Sequence, residues 1–319
     1  MAKAPLLSAL LIAMLALGGT TLLWGMSFPF SAIEQRIVLD LRLPLVITSI
    51  IVGAALATSS AALQVVLKNP LADPGIIGIT SGASVCAAVV LLIGEAWLAE
   101  YGAYILPLAC FIGAVGSTLV IYRISRALPG VHSAVILAGI GISTIAGAIV
   151  AWLHLISDAE SMRNLTFWLM GSLHQADWTV LLFAAPVAVG LLTWLLRQGT
   201  RLNWFYFGAT EARLKGLDVS WFNGIMLLVC ALLVGIAVSI AGSIAFVGLL
   251  VPHLIRNIAG FDNRFVLPAS AMVGAMLMLA IALINTQFVT MLVPVSMLTA
   301  SIGGPLFLWS VIRLSKGQT

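Results

Sequence analysis

Residues 42–85 read RLPLVITSIIVGAALATSSAALQVVLKNPLADPGIIGITSGASV. Between Arg42 and Lys68 no side chain is ionisable. A bilayer-spanning helix needs about 20 mostly apolar residues, and this run exceeds that. It lacks period-two alternation, so the reading is helix rather than barrel strand. Pro44 is placed at the start of a helix on the outer face, and Gln64 is a polar residue near its inner end. Asn69-Pro70 and Asp73-Pro74 then predict a rigid turn. A Gly/Ser/Thr-rich helix start follows from Gly75 to Ser84. Small residues such as Gly53, Ala54, Ala57, Ser59 and Ser60 permit close helix packing, or line a water-filled gap.

The rest of the chain repeats this character. Of 319 residues 61% are hydrophobic and 8% charged. A soluble domain carries roughly 25% charged residues, so a water-soluble enzyme is excluded. The apolar residues suffice for about eight to eleven spans of about 20 residues. Ten are read: 5–26, 44–67, 74–94, 104–122, 132–155, 178–196, 221–240, 245–258, 266–288 and 294–312. The predicted fold is all-α, a polytopic membrane protein with about ten transmembrane helices in a single domain, 1–319. Lys3 and the apolar run after it resemble a secretory signal, but the run continues to Met26 without an A-x-A site, so a retained first helix is expected.

Charge sets the expected topology. The net charge is +4, and the basic residues stand singly between apolar runs, which argues for topology and against nucleic acid. Ten spans put both termini on one side. That side holds twelve of the 15 Lys and Arg, and the other holds Arg36, Arg42 and Arg163. The positive-inside rule makes the twelve cytoplasmic. Treating 221–258 as one span would give a helix far too long and move Arg256 and Arg264 outside. A break at Gly242 before a short helix containing Pro252 is expected instead. The outer connection 157–177 contains FWLMGSL, read as interfacial or re-entrant. The inner connection 197–220 carries one short helix from Thr210 to Lys215, stopped by Gly216, and is a docking surface for a soluble partner.

The chemistry that is missing is informative. No Asp, Glu or Lys falls within the ten spans, and Arg256 is the one Arg. Intramembrane charges mark ion and proton paths, so a proton-driven carrier is disfavoured. There is no G-x-x-x-x-G-K-[ST] phosphate loop, HExxH or CxxC. Any uphill movement must draw energy from a partner. Cys86, Cys110 and Cys230 lie singly in apolar runs and read as packing residues, as do Met272 and Met276. No metal site is expected. His253 reads as structural and His132 lies near an inner end. His154 and His174 fall in the outer half.

The 42–85 stretch resembles the FecCD family, the permeases of bacterial ABC importers for iron–siderophores, haem and cobalamin. The matching residues are Arg42-Leu43-Pro44, Gly53–Ala57, Gln64, Asn69–Ala72 with Pro74, and Gly78 with Gly82-Ala83. FWLMGSL at 167–173, EARLKGLDV at 211–219, FVGLLVPHLIR at 246–256, LPAS at 267–270 and GGPLFLW at 303–309 follow in order. The resemblance implies a permease that pairs with a second permease subunit, as homodimer or heterodimer. It also implies two cytoplasmic ATPase subunits and a periplasmic substrate-binding protein. ATP and Mg would sit on the ATPase partners, with no cofactor on this chain. Glu211, Arg213, Leu214, Lys215 and Gly216 would couple to the ATPase. Gln64, Asn69, Gly78, Thr80, Ser81 and Gly82 would form pathway or gate. Arg36 and Arg42 would dock the binding protein. Two departures stand out: Leu45 replaces a second arginine after RLP, and Asn285, Gln287 and Val293 replace an acidic residue, an arginine and an E-[LI]-P element. The implied cargo is an iron chelate, with cobalamin as alternative; an ion-coupled carrier is the different-class alternative.

Overall fold

A computed structural model describes residues 3–26, 30–93, 95–128, 134–175, 177–287 and 293–316. His132, Gly94 and Phe288, named within expected spans, lie outside them. The chain runs α1 (Lys3–Leu23), α2 (Ala32–Arg36), a π-helical stretch Ile37–Arg42, α3 (Leu43–Val66), α4 (Ile79–Ile93) and α5 (Glu95–Ala127). It continues α6 (Ala134–Ile156), α7 (Ala159–Met170), α8 (Trp178–Leu196), α9 (Gly199–Tyr206) and α10 (Ala209–Leu214). It ends α11 (Val219–Ala241), α12 (Val247–Ala259), α13 (Asn263–Gln287) and α14 (Val295–Lys316). No strand occurs among the described residues. Among the described residues seven helical runs are long and apolar enough to cross a membrane, and three shorter apolar helices lie in α4, α12 and α14. Together they make the ten expected crossings of a multi-pass membrane protein.

α3 is the axis of the bundle. It is buried along nearly its whole length, and α1, α8, α11, α12 and α13 pack around it. Glycine makes the closest approach possible: a Cβ on Gly53 would collide with the backbone of Gly274 on α13, and the reverse is equally true. α4 and α5 touch in the same way through Gly82 and Gly113. Without a hydrophobic drive between helices in lipid, such backbone contact supplies the packing energy.

Two contacts fix the faces. Lys3 at the start of α1 donates to Asp262 between α12 and α13 at 3.2 Å, which places the N-terminus beside that turn. At the opposite end, Trp178 at the start of α8 donates its indole N–H to the Leu39 carbonyl at 2.9 Å. The 197–220 connection lies on the Lys3 face, since Asn203 also donates to Asp262, at 2.8 Å.

Several expectations need correction. Pro44 lies in the first turn of α3 as expected, but helical backbone precedes it from Ala32, and the π-helical turn Ile37–Arg42 supplies the extra residue that relieves the proline ring. α5 begins at Glu95, well before residue 104. The inner connection holds two helices, α9 and α10, rather than one. The break at Gly242 is present: Gly242 has φ +71°, and Phe246 is left-handed at φ +70°. α12 therefore rises only about 20 Å at 1.5 Å per residue, short of a bilayer, and 242–246 covers the remainder as irregular backbone inside the protein.

Candidate functional site

The turn between α3 and α4 is built by side chains closing on their own backbone. Asn69 N–H donates to the Gln64 carbonyl at 3.1 Å. The Asn69 side chain accepts from Leu71 N–H at 2.8 Å, and Asp73 accepts from Gly75 N–H at 2.9 Å. These are Asx turns, which explains Asn-Pro and Asp-Pro in sequence. Asp73 lies against Gly248 at the start of α12, beside the buried Ser60 hydroxyl, so a Cβ at Gly248 would collide with both. Burial pushes the Asp73 carboxyl up to about 6.

The six residues expected at the gate separate into two places. Gln64 and Asn69 line a cavity on the 197–220 face together with Lys68, Tyr206 and Arg256. Gly78, Thr80, Ser81 and Gly82 pack instead on α5 and α6. Gly78 has φ +90° and sits against the Gly139 carbonyl. Ser81 Oγ donates to Ser143 Oγ of α6 at 2.9 Å. Thr80 is buried, and Gly82 meets Gly113. α6 has its other side uncovered, exposing Ile140, Gly141, Thr144, Ile145 and Gly147.

The elbow at 197–220 presents an apolar tip on an anchored base. α10 buries Ala212 completely while Leu214 is 80% exposed. Arg213 is exposed, and Lys215 pairs with Glu211 at 3.7 Å across one helical turn. Exposed pairs of this kind contribute about 0–1 kcal/mol, so they orient rather than hold. Gly216, at φ +83°, lets its N–H close on the Arg213 carbonyl at 2.9 Å. α9 anchors the elbow through buried Leu202 and Phe205, and Asn203 binds the N–H of Asn263 at 2.8 Å. Asp262, held by Arg264, Asn203 and Lys3, has its carboxyl well below the usual range, chiefly through the Arg264 hydrogen bond.

On the opposite face Arg42 is engaged. Its guanidinium donates to the Leu22 carbonyl at 3.1 Å and the Trp24 carbonyl at 2.6 Å, closing the end of α1. Arg36 is exposed. A cavity of 520 Å³ beside Arg42 is lined also by Asp40, His174 and Asp177. The family departures are structural here: the Asn285 amide donates to the Val293 carbonyl at 3.0 Å and accepts from Val293 N–H at 3.2 Å. His253 lies 5.6 Å from the Phe307 ring, and Cys110 and Cys230 are buried. No cluster of three metal-ligating side chains occurs among the described residues.

A clamp on the broken helix was not visible in the sequence as such. FWLMGSL ends α7 and turns at Gly171, φ +73°. The Trp168 carbonyl accepts from Ser243 N–H at 3.3 Å, Ser172 N–H donates to Ala241 at 2.8 Å, and Val295 N–H donates to Gly171 at 3.1 Å. Ser296 Oγ donates to the Ser243 carbonyl at 2.9 Å. α7, α11 and α14 thus share the irregular backbone. The glycines at 171 and 242 were the available signal.

Known proteins agree with this architecture. The family model for the FecCD transport family matches residues 6–313. The chain is 39% identical over 276 residues to the hemin transport system permease protein HmuU of Yersinia pestis, covering 86% of this chain and 83% of that protein. It is 38% identical over 316 residues to the vitamin B12 import system permease protein BtuC of Vibrio vulnificus, covering 96% and 93%. A solved structure described as an inward-facing conformation of a metal-chelate type ABC transporter superposes with TM-score 0.88 at 30% identity, covering 97% of this chain and 99% of that one. The chain belongs to the FecCD transport family, as an ABC importer permease.

Proposed function

We propose that this chain imports an iron chelate, a ferric siderophore or haem, across the bacterial cytoplasmic membrane. Both termini and the elbow face the cytoplasm. Two permease chains pair across the uncovered small-residue side of α6 to enclose the path. Two ATPase subunits bind the elbows, hydrolyse ATP with Mg, and rock the helices between outward and inward openings. A periplasmic binding protein delivers cargo to the face of Arg36 and Arg42, where Arg36 is free to reach it.

The observation that carries this reading is the elbow. Leu214 is 80% exposed on a helix whose Ala212 is fully buried, which suits a ball for a socket on a partner. α9 and Asn203 transmit its position to α13 through Asn263 at 2.8 Å. The hemin permease relative and the metal-chelate transporter support an iron chelate. The vitamin B12 permeases, matching 96% of the chain in one case, favour cobalamin as the second reading.

The test is reconstitution of the complete transporter with its binding protein in proteoliposomes. Ferric siderophore, haem and cobalamin are compared for uptake and for stimulation of ATP turnover. Stimulation by an iron chelate alone is expected; stimulation by cobalamin alone transfers the assignment to the second reading. Uptake driven by an ion gradient without ATP overturns both.

A further inference from the structure

The cavity on the elbow face has the chemistry of a phosphate receptor. It measures 520 Å³ and lies between the end of α3, the 67–70 turn, the α9–α10 junction and the end of α12. Gln64 is two residues from the end of α3 and Arg256 three from the end of α12, so the cavity sits at the membrane–water boundary. Two cations face it, Lys68 and Arg256, and no carboxylate lines it. Arg256 is 9% exposed; its guanidinium donates to the Ala61 carbonyl at 2.9 Å and lies 6.0 Å from the Phe261 ring centroid. Asp262, next along the chain, already has its carboxylate occupied by Lys3, Asn203 and Arg264.

A second observation points to a missing ligand. Gln64 is 6% exposed, and its Nε2 amide group is buried with no acceptor among the described residues. An unsatisfied buried donor costs about 1–3 kcal/mol, and a buried guanidinium without a counter-ion costs more. An oxyanion in the cavity would relieve both. The rim is aromatic: Tyr206 stacks on Phe261 at 5.6 Å, and Tyr206 and Phe261 are about half exposed. Ile258 beside them is 78% exposed. Aromatic rings at a membrane boundary mark headgroup depth, and basic pockets between helices on the cytoplasmic side receive anionic headgroups.

We propose that this cavity binds the phosphate of an anionic phospholipid from the inner leaflet. Lys68 and Arg256 pair with the oxyanion, Gln64 donates its free N–H, and the Tyr206–Phe261 wall covers the glycerol. A free phosphate ion would use the same donors. The cavity's size and apolar rim favour the lipid. The site joins the gate turn to the elbow, so its occupancy would stiffen the link between them.

The experiment is native mass spectrometry of the full-length chain in detergent, after delipidation. Phosphatidylglycerol, phosphatidylcholine of the same acyl length, or inorganic phosphate is added back. The expected result is one phosphatidylglycerol retained per chain and no comparable retention of phosphatidylcholine. Lys68→Gln should weaken retention roughly fivefold, the effect of about 1 kcal/mol per interfacial charge. Gln64→Leu should also weaken it, and added salt should too. Arg256→Gln also loses the bond to Ala61, so exposed Lys68 carries the test if that variant fails to fold. Retention of inorganic phosphate that competes with phosphatidylglycerol supports the shared phosphate chemistry. Retention of phosphate alone, lost in Lys68→Gln, places the ligand in solution. Equal retention of the two lipids, or retention unchanged in Lys68→Gln and Gln64→Leu, overturns the proposal.

Discussion

Gly53 and Gly274 decide how near α3 and α13 approach, because each backbone occupies the space where the other's Cβ would be. Gly53→Ala should therefore destabilise the fold by about 1–3 kcal/mol, the usual penalty for overpacking. A thermal unfolding scan in detergent would show it, and an unchanged midpoint would refute the contact. Gly190 on α8, with open space at its Cβ, should accept alanine without loss. Asp73 supplies a pH signature. Its folded pKa, about 6, lies above its unfolded value, so the folded state holds the extra proton. Stability should then fall as pH rises from about 4 to about 6 and level off above. Asp73→Asn should remove that slope. Asp262 has the opposite sign: its depressed pKa contributes stability above about pH 4 that is lost as pH falls. Asx turns at Asn69 and Asp73 were readable because Asn-Pro and Asp-Pro name their own geometry. The Asn285–Val293 clamp was not, since an amide satisfying a backbone eight residues away leaves no local pattern.

At the scale of elements, hydropathy located the crossings because lipid demands long apolar helices. The break at Gly242 was legible for the same reason: an unbroken 221–258 run is too long to span. α9 was not legible. Its sequence GTRLNWFY has no side-chain cap and three consecutive aromatic residues, so tertiary packing of Leu202 and Phe205 decides it. The π-helical turn before Pro44 was equally hidden, because proline usually signals a helix start. In FWLMGSL the structure shows a role the sequence did not: Trp168 and Leu173 pack inward, and the Trp168 carbonyl accepts from Ser243 N–H. Trp168→Ala should cost about 3–5 kcal/mol, the range for large aromatic truncations, and loosen 242–246. Hydrogen exchange across 242–246 would report it; protection equal to the parent would contradict the clamp.

For the whole molecule, a chain with no carboxylate inside its expected spans and no phosphate loop has to take its energy from outside. Family membership was readable from motifs in order along the chain. The cargo was not, because the chain is about equally similar to a hemin permease and to a vitamin B12 permease. The central claim is that ATP-driven movement enters through the elbow. The most direct test is uptake and ATP turnover by the complete transporter in proteoliposomes, comparing the parent with Leu214→Asp and with Arg213→Glu/Lys215→Glu. All three of these side chains are exposed, so folding should be unaffected. Cargo uptake is expected to collapse, and the binding protein to stimulate ATP turnover no longer. Uptake and stimulation equal to the parent, with the ATPase still bound, would contradict it.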